Sequence, residues 1–535
     1  MPHALPATKL DSATPSEIAI NAQPRVPEAD PTLGIPVATS WQGKPRPNNR
    51  LVTIGDSLTH GFQSGAVFNT DLSYPAIIAY ELGWYRSFRF PTYNGAGGIP
   101  LNIELLLRDL AQRYGQHVDL WEVPLALFRL RQSMDEIEDY WERGPGSASP
   151  IGGRLNHNLG VYGWDLGDTL VKTADSCRTA IGTPKDDPVI QIVQNNGERA
   201  ALRVLPCTPD TARQMTVFDA AEQLGKDFGD GDPEHGIETL VIFLGANNAL
   251  PTVTQLDVAW SGDGYDDPAH KNRFTVWRPS HFAAELARIA DRVRPIRARH
   301  IIWCTVPHVT VAPIARGIGA KIEPGSRYFP YYTRPWISDR TFNPKRDPYI
   351  TSQQARAVDS AIDQYNDVIT DMVRAERRAG RDWYVVDIAG MLDRLAARRY
   401  TEDLLARPDW WTPYPLPPEL QALRPLPDSR FLTSDGNTRA TGGLFSLDGV
   451  HPTTIGYGLI AQEIINVMQL AGVTFLHPDG RTPRTGPITV DFARLLQRDT
   501  LVNRPPGNLT AGLDIIGWAD QAGDVLRRVL PFRIF

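Results

Sequence analysis

Apolar residues recur along the chain in two alternating rhythms. LVTIG (51–55), LGVYG (159–163), TLVIFLGAN (239–247), HIIWCTV (300–306) and WYVVDI (383–388) are apolar at nearly consecutive positions, the pattern of strands buried on both faces. Between them, YPAIIAYELGW (74–84), HFAAELARIADRVR (281–294) and QARAVDSAIDQYNDVITDMVRAERRA (354–379) repeat at the helical period. Strands alternating with helices predict an α/β fold, a mostly parallel sheet covered by helices on both sides.

The spacing departs from a simple alternation in three places. The segment 85–158 carries its own helical patterns, NIELLLRDLAQRYG and FRLRQSMDEIEDYWERG, and is too long for one crossover. The segments 308–350 and 400–440 are dense in aromatic residues, arginine and proline. All three read as insertions, and loops above a sheet edge are where substrate walls are made. Residues 1–47, rich in Pro, Ala, Thr and Ser without periodicity, read as an extended, poorly ordered lead-in. The folded body is expected over 48–475, with 476–535 an extension of unknown role.

Composition narrows the function classes. A formal net charge of -6 over 535 residues, with no Lys/Arg-dense run, argues against nucleic acid and for a neutral small molecule. The three cysteines, Cys177, Cys207 and Cys304, lie far apart without a CxxC, so neither a disulfide framework nor a zinc site is expected. No HExxH, carboxylate-rich cluster or GxGxxG points to a metal or a dinucleotide, and no cofactor is expected. The N-terminus has neither the basic start nor the apolar run of a secretory signal, and no apolar stretch reaches bilayer length. These features predict a soluble, cytoplasmic protein with no transmembrane segment.

The candidate chemistry begins at LVTIGDSLTHGF (51–62), where a strand delivers Gly55, Asp56 and Ser57 to a helix start. A serine there is either an ordinary helix cap or a nucleophile, and only a base elsewhere in the chain decides between them. LFSLDGVHPTTIGYGLIAQEIINVM (444–468) supplies Asp448 and His451, three positions apart, ahead of Pro452 and an amphipathic helix. One turn can place both side chains on the same side, so that Asp448 accepts from one imidazole nitrogen while the other faces Ser57. For a developing oxyanion, Asn247 ends the strand 239–247 and can donate its side-chain amide. A glycine amide, from Gly163 or from the Gly95–Gly98 stretch of YNGAGGIP, can donate beside it. The apolar strand ahead of Gly163 favours that position. His60, one turn along from Ser57, points along the helix rather than at the serine, and His308 reads as a polar loop residue at the pocket wall.

In chain order, GDSL (55–58), a glycine after the second strand, GxN (245–247) and DxxH (448–451) resemble the four blocks of the GDSL, or SGNH, hydrolase family. The resemblance covers roughly 49–475 and implies a flavodoxin-like three-layer α/β/α fold. It further implies a serine hydrolase of carboxylic esters with Ser57 as nucleophile, His451 as general base and acid, and Asp448 orienting His451. The oxyanion hole it implies comprises the Ser57 and Gly163 amides and the Asn247 side chain. The third block commonly continues with aspartate where this chain has Asn248, which implies a local change only. The aromatic, proline-rich insertions suggest an ester with an apolar acyl or aryl group as substrate. An acyltransferase using the same acyl-enzyme, a deacetylase, thioesterase or lysophospholipase of the same family, and a silent binding protein are the alternatives.

Overall fold

The structure is a computed structural model that describes residues 10–21, 23–39, 46–93, 95, 97–115, 123–148, 154–184, 192–205, 213–226, 236–435 and 437–507. Its centre is a sheet of five strands: β1 (Asn49–Gly55), β2 (Asn158–Gly160), β3 (Ile237–Phe243), β4 (Ala298–Cys304) and β5 (Trp383–Val386). Every pairing is parallel, in the order β2-β1-β3-β4-β5. Each strand corresponds to one of the five apolar runs. Every residue of β1 and β3 is buried, which explains why these runs do not alternate.

The principal helices are α1 (Ser57–His60), α2 (Tyr74–Glu81), α3 (Ile103–Tyr114), α4 (Val123–Glu142), α5 (Val217–Lys226), α6 (Pro279–Val293), α7 (Ser352–Arg378), α8 (Ile388–Leu395), α9 (Thr454–Leu470) and α10 (Phe492–Arg498). One set joins α2 to α9 and α10, with α2 against β1 and α9 against β4 and β5. A second set joins α6 to α7, with α5 against β1 and α7 against β5. The protein is therefore α/β, with helices on an all-parallel sheet, an arrangement compatible with three layers. No helix among the described residues is long and apolar enough to cross a membrane.

The pairing register matters for the site. Gly55 stands beside Gly160 on one side and Phe243 on the other, so the chain leaves β1, β2 and β3 at one carboxyl edge. Strand order reverses there, since β2 and β3 flank β1, and such switch points open a crevice above the sheet. Gly55 also has no room for a side chain. A Cβ would lie 1.9 Å from Thr59 Oγ1 and 2.7 Å from the Phe243 carbonyl, so glycine lets α1 sit directly on the sheet edge.

Two expectations need correction, and two further features were not anticipated. The second strand ends at Gly160, and Gly163 lies in the turn beyond it at φ 76. The N-terminal residues 10–21 and 23–39 are extended but fixed to the body. Ile18 and Ile20 are buried, Arg25 pairs with Asp387 at 2.9 Å, and the Val385 N–H donates to the Pro31 carbonyl at 3.1 Å. Residues 476–507, part of the extension whose role the sequence left open, pack on the same body. Phe492 and Leu495 are buried in the main core, and the Ile455 N–H donates to Asp499 at 2.9 Å. Finally, residues 164–226 hold helices that the apolar pattern did not announce, α5 among them, because they are short. Residues 1–9, 40–45 and 508–535 of the two terminal segments lie outside the described residues, as does Cys207.

The 85–158 insertion contributes α3 and α4, as its periodicity predicts. With Phe62, Val67, Tyr93 and Tyr162 they form a second apolar cluster. The other insertions carry short antiparallel pairings, 316–318 with 331–333 and 433–434 with 439–441.

Candidate active site

Ser57 is the first residue of α1, and Asp56 is the cap. The Asp56 carboxylate accepts the Leu58 N–H at 3.0 Å, which leaves the serine hydroxyl without a capping role. That hydroxyl lies 2.8 Å from His451 Nε2, and His451 Nδ1 lies 3.0 Å from Asp448 Oδ2. An ionised Asp448 only accepts, so Nδ1 carries the proton and Nε2 is left to accept from Ser57. The three groups, 394 residues apart at the extremes, form one hydrogen-bonded chain. They are at most 2% exposed.

Asp448 is held ionised in spite of its depth. Burial pushes its carboxyl up, but His451 and the Val450 and His451 amides pull it further down, to below the ordinary carboxylate value. Oδ1 accepts those two amides at 2.9 and 2.8 Å, while Oδ2 receives the Gly65 N–H at 3.0 Å besides His451. Gly449 allows this tight loop. Its φ is 66, and a Cβ there would lie 2.8 Å from the Phe431 ring and 2.9 Å from the Ile314 nitrogen.

The Gly65 donor was not anticipated. Ser64 and Gly65 form a two-residue hairpin turn between Gln63 and Ala66, both at positive φ. The Ser64 N–H donates to Ser446 Oγ at 2.9 Å, so the turn grips the loop that bears Asp448. The Ser-Gly dipeptide is a turn signal that could have located it. Phe62, just before the turn, packs its ring 4.4 Å from the His451 imidazole.

Asn247 lies in a single turn, Ala246–Asn248, after β3. Its Nδ2 donates to the Trp164 carbonyl at 2.8 Å, which fixes the amide's orientation and leaves a second N–H on the same nitrogen. The bond also places Asn247 beside the residue following Gly163. The Gly163 N–H makes no hydrogen bond among the described residues. At the alternative glycines, a Cβ on Gly95 would meet Tyr140, on Gly97 Leu105, and on Gly98 the Val67 carbonyl.

Asn248 is fully buried. It accepts the Leu166 N–H at 3.2 Å and offers its amide to Glu285 at 3.4 Å. An aspartate at 248 would set two carboxylates together in the core, so asparagine suits this chain.

Burial raises the Asp56 carboxyl to about 7, although the Leu58 amide and His451 act in the opposite direction. His60 is buried and neutral, pushed down to about 3. Its Nδ1 accepts the Tyr162 N–H at 3.2 Å and its Nε2 bonds Tyr93 at 2.7 Å, so both nitrogens face away from Ser57. His308 bridges Asp363 at 3.0 Å and Asp393 at 3.1 Å. Burial opposes its charge, but the Asp393, Asp363 and Asp359 carboxylates outweigh it and raise it to about 10. Cys177 and Cys304 are buried, and burial raises both thiols.

A cavity of about 100 Å³ adjoins the site, with apolar walls from Leu58, Ala246, Val450, Pro452, Met391 and Leu459. Leu58, Ala246 and Pro452 are the chain neighbours of Ser57, Asn247 and His451, although none of those three lines it. No protein-family model matches the chain, and neither does any curated protein.

Proposed function

We propose that the protein is a serine hydrolase that cleaves carboxylic esters through an acyl-enzyme on Ser57. One observation carries this reading: the hydrogen-bonded chain Ser57–His451–Asp448, with its tautomer set by an ionised aspartate. His451 takes the Ser57 proton as Oγ attacks the ester carbonyl, then gives it to the leaving alcohol. Water repeats the sequence on the acyl-enzyme. Asp448 keeps the imidazole in the required tautomer and stabilises the imidazolium.

Three donors are assigned to the oxyanion. They are the Ser57 N–H at the start of α1, the free Asn247 Nδ2–H, and the Gly163 N–H, which makes no hydrogen bond within the described protein. The strand order β2-β1-β3-β4-β5 is that of flavodoxin-like sheets, and the site lies at its β1/β3 switch point. Both fit the GDSL, or SGNH, hydrolase family proposed from the four sequence blocks. The apolar cavity lined by Leu58, Ala246 and Pro452, each next in the chain to a residue of the proposed site, favours an apolar acyl or aryl group, and about 100 Å³ is room for a short one.

The test is hydrolysis of p-nitrophenyl esters, from acetyl to long acyl chains, by the wild type and Ser57→Ala. A fall of about 10⁴-fold or more in the variant, with the optimum at short chains, supports the proposal. Equal activity in the folded variant, or none in the wild type on any ester, overturns it.

A second reading rests on the burial of Ser57, 2% exposed beside an apolar cavity, which disfavours water as acyl acceptor. On that reading the acyl group passes to an alcohol. The ratio of transester to acid formed with added alcohol separates the two.

A further inference from the structure

A second cavity, of about 520 Å³, lies between the 308–350 and 400–440 insertions, and neither Ser57, Asn247 nor His451 lines it. Its volume is in the range of small-molecule sites, roughly 300–1,000 Å³. Two kinds of side chain dominate its walls, which also include the Glu402 carboxylate and the hydroxyls of Thr310, Ser429 and Thr433. Arg316, Arg327, Arg398, Arg399 and Arg430 bring five guanidinium groups, while Phe329, Tyr332, Trp336 and Phe431 bring rings.

Three of the arginines already have carboxylate partners. Arg316 pairs with Asp339, Arg399 with Asp359 at 2.9 Å, and Arg430 with Asp428 at 2.6 Å and Glu402 at 3.2 Å. Arg327 and Arg398 have no carboxylate within 4.0 Å among the described residues. Arg327 is 7% exposed, its Nη1 has no hydrogen-bond acceptor, and Asp359 and Asp363 act on it only from beyond ion-pair distance. Arg398 gives Nη1 to the Gly317 carbonyl at 2.7 Å and lies 4.4 Å from the centre of the Phe329 ring. Burial, then the like charge of Arg316, depresses its pKa. Arg327 also lies 5.1 Å from the centre of the Tyr328 ring, but a largely buried guanidinium without a carboxylate partner is costly, and an oxyanion offers both charge and paired acceptors.

We propose that this cavity is a second binding site, for an organic anion whose carboxylate or phosphate oxygens pair with Arg327 and Arg398. The apolar or aromatic body of the ligand rests against Phe329, Tyr332 and Trp336. The site is separate from the ester chemistry, and binding is read without turnover, so its failure would leave the Ser57 reading untouched.

Calorimetric titration of the full chain at low salt with benzoate, phenyl phosphate and inorganic phosphate tests it. The expected result is 1:1 binding of benzoate or phenyl phosphate, the tighter of the two naming the oxyanion. Arg398→Gln and Trp336→Leu should each weaken binding about tenfold, whereas Arg288→Gln, at an exposed position outside the cavity, should not. Arg398 makes one hydrogen bond to a carbonyl and no ion pair, so its glutamine variant is expected to fold, with thermal melting as the check. The proposal is overturned if the folded wild type binds none of the three at millimolar concentration. Binding that both variants leave unchanged, or inorganic phosphate bound as tightly as the organic anions, would overturn it too.

Discussion

The Gly65 amide and the Asp448 carboxylate meet at 3.0 Å, on the same oxygen that faces His451 Nδ1. That oxygen is committed to accepting. Asp448→Asn would turn an NH₂ group toward one of these donors and leave His451 with the wrong tautomer. On the proposed mechanism kcat should fall about 10⁴-fold with KM little changed. Steady-state kinetics of the folded variant provide the check, and a loss below tenfold would remove Asp448 from the assigned role.

Asn247 has two duties that one substitution exposes together. Asn247→Ala removes an assigned oxyanion donor, expected to lower kcat by about 10²–10³-fold. It also strands the buried Trp164 carbonyl, at a cost of about 1–3 kcal/mol in chemical denaturation. A variant with lower stability but unaltered kcat would confine Asn247 to a structural role.

Asp56 makes stability depend on pH in the direction opposite to most carboxylates. Its folded pKa is raised, so its contribution is full below the unfolded value near 4 and is lost as pH rises through about 7. Asp56→Asn keeps a capping oxygen but cannot ionise. The variant should gain stability relative to wild type above pH 7, by roughly 4 kcal/mol at most, and none at pH 4. Urea melts at the two pH values would show the difference; equal gains at both would exclude titration of Asp56 as its source.

His308 shares that direction for a different reason, since in the fold its charged form is the favoured one. Its folded pKa is raised to about 10, so its stabilisation is complete below about 6.5 and is lost as pH rises through about 10. His308→Gln leaves Asp363 without its ion-pair partner and Asp393 with Arg399 alone at 3.7 Å, and should destabilise the protein by about 3–5 kcal/mol at pH 7. The deficit should shrink toward pH 10 in denaturation experiments. A deficit constant with pH would mean that packing rather than charge is at stake.

Four of the five central strands were legible because each is a consecutive apolar run, the pattern of burial on both faces, whereas the run LGVYG overlaps the second strand only at Leu159 and Gly160. Ser57, Asp448 and His451 were legible as candidates because residue type, order and flanking elements suffice to nominate them. What could not be read was who touches whom across the chain. The Gly65 amide reaches Asp448 from 383 residues away, and the Asn247 amide reaches the Trp164 carbonyl from 83. The N-terminal lead-in misled for a related reason. Its attachment rests on two buried isoleucines and a few bonds to Asp387 and Val385, none of which has a periodic signature. The arginines of the second cavity are likewise scattered from 316 to 430, and only the folding of two insertions gathers them.

Gly55, Gly160 and Phe243 stand abreast at the edge of the sheet. The positions from which the chain departs toward Ser57, Gly163 and Asn247 are therefore set by backbone ladders in the core. The 308–350 and 400–440 insertions add no strand to that alignment, although Ile314 and Phe431 abut Gly449 in the loop that bears Asp448 and His451. On the proposed mechanism, changes to cavity-lining side chains of the 308–350 or 400–440 segment that keep His308, Ile314 and Phe431 can alter what is bound while the frame of the reaction stays in place.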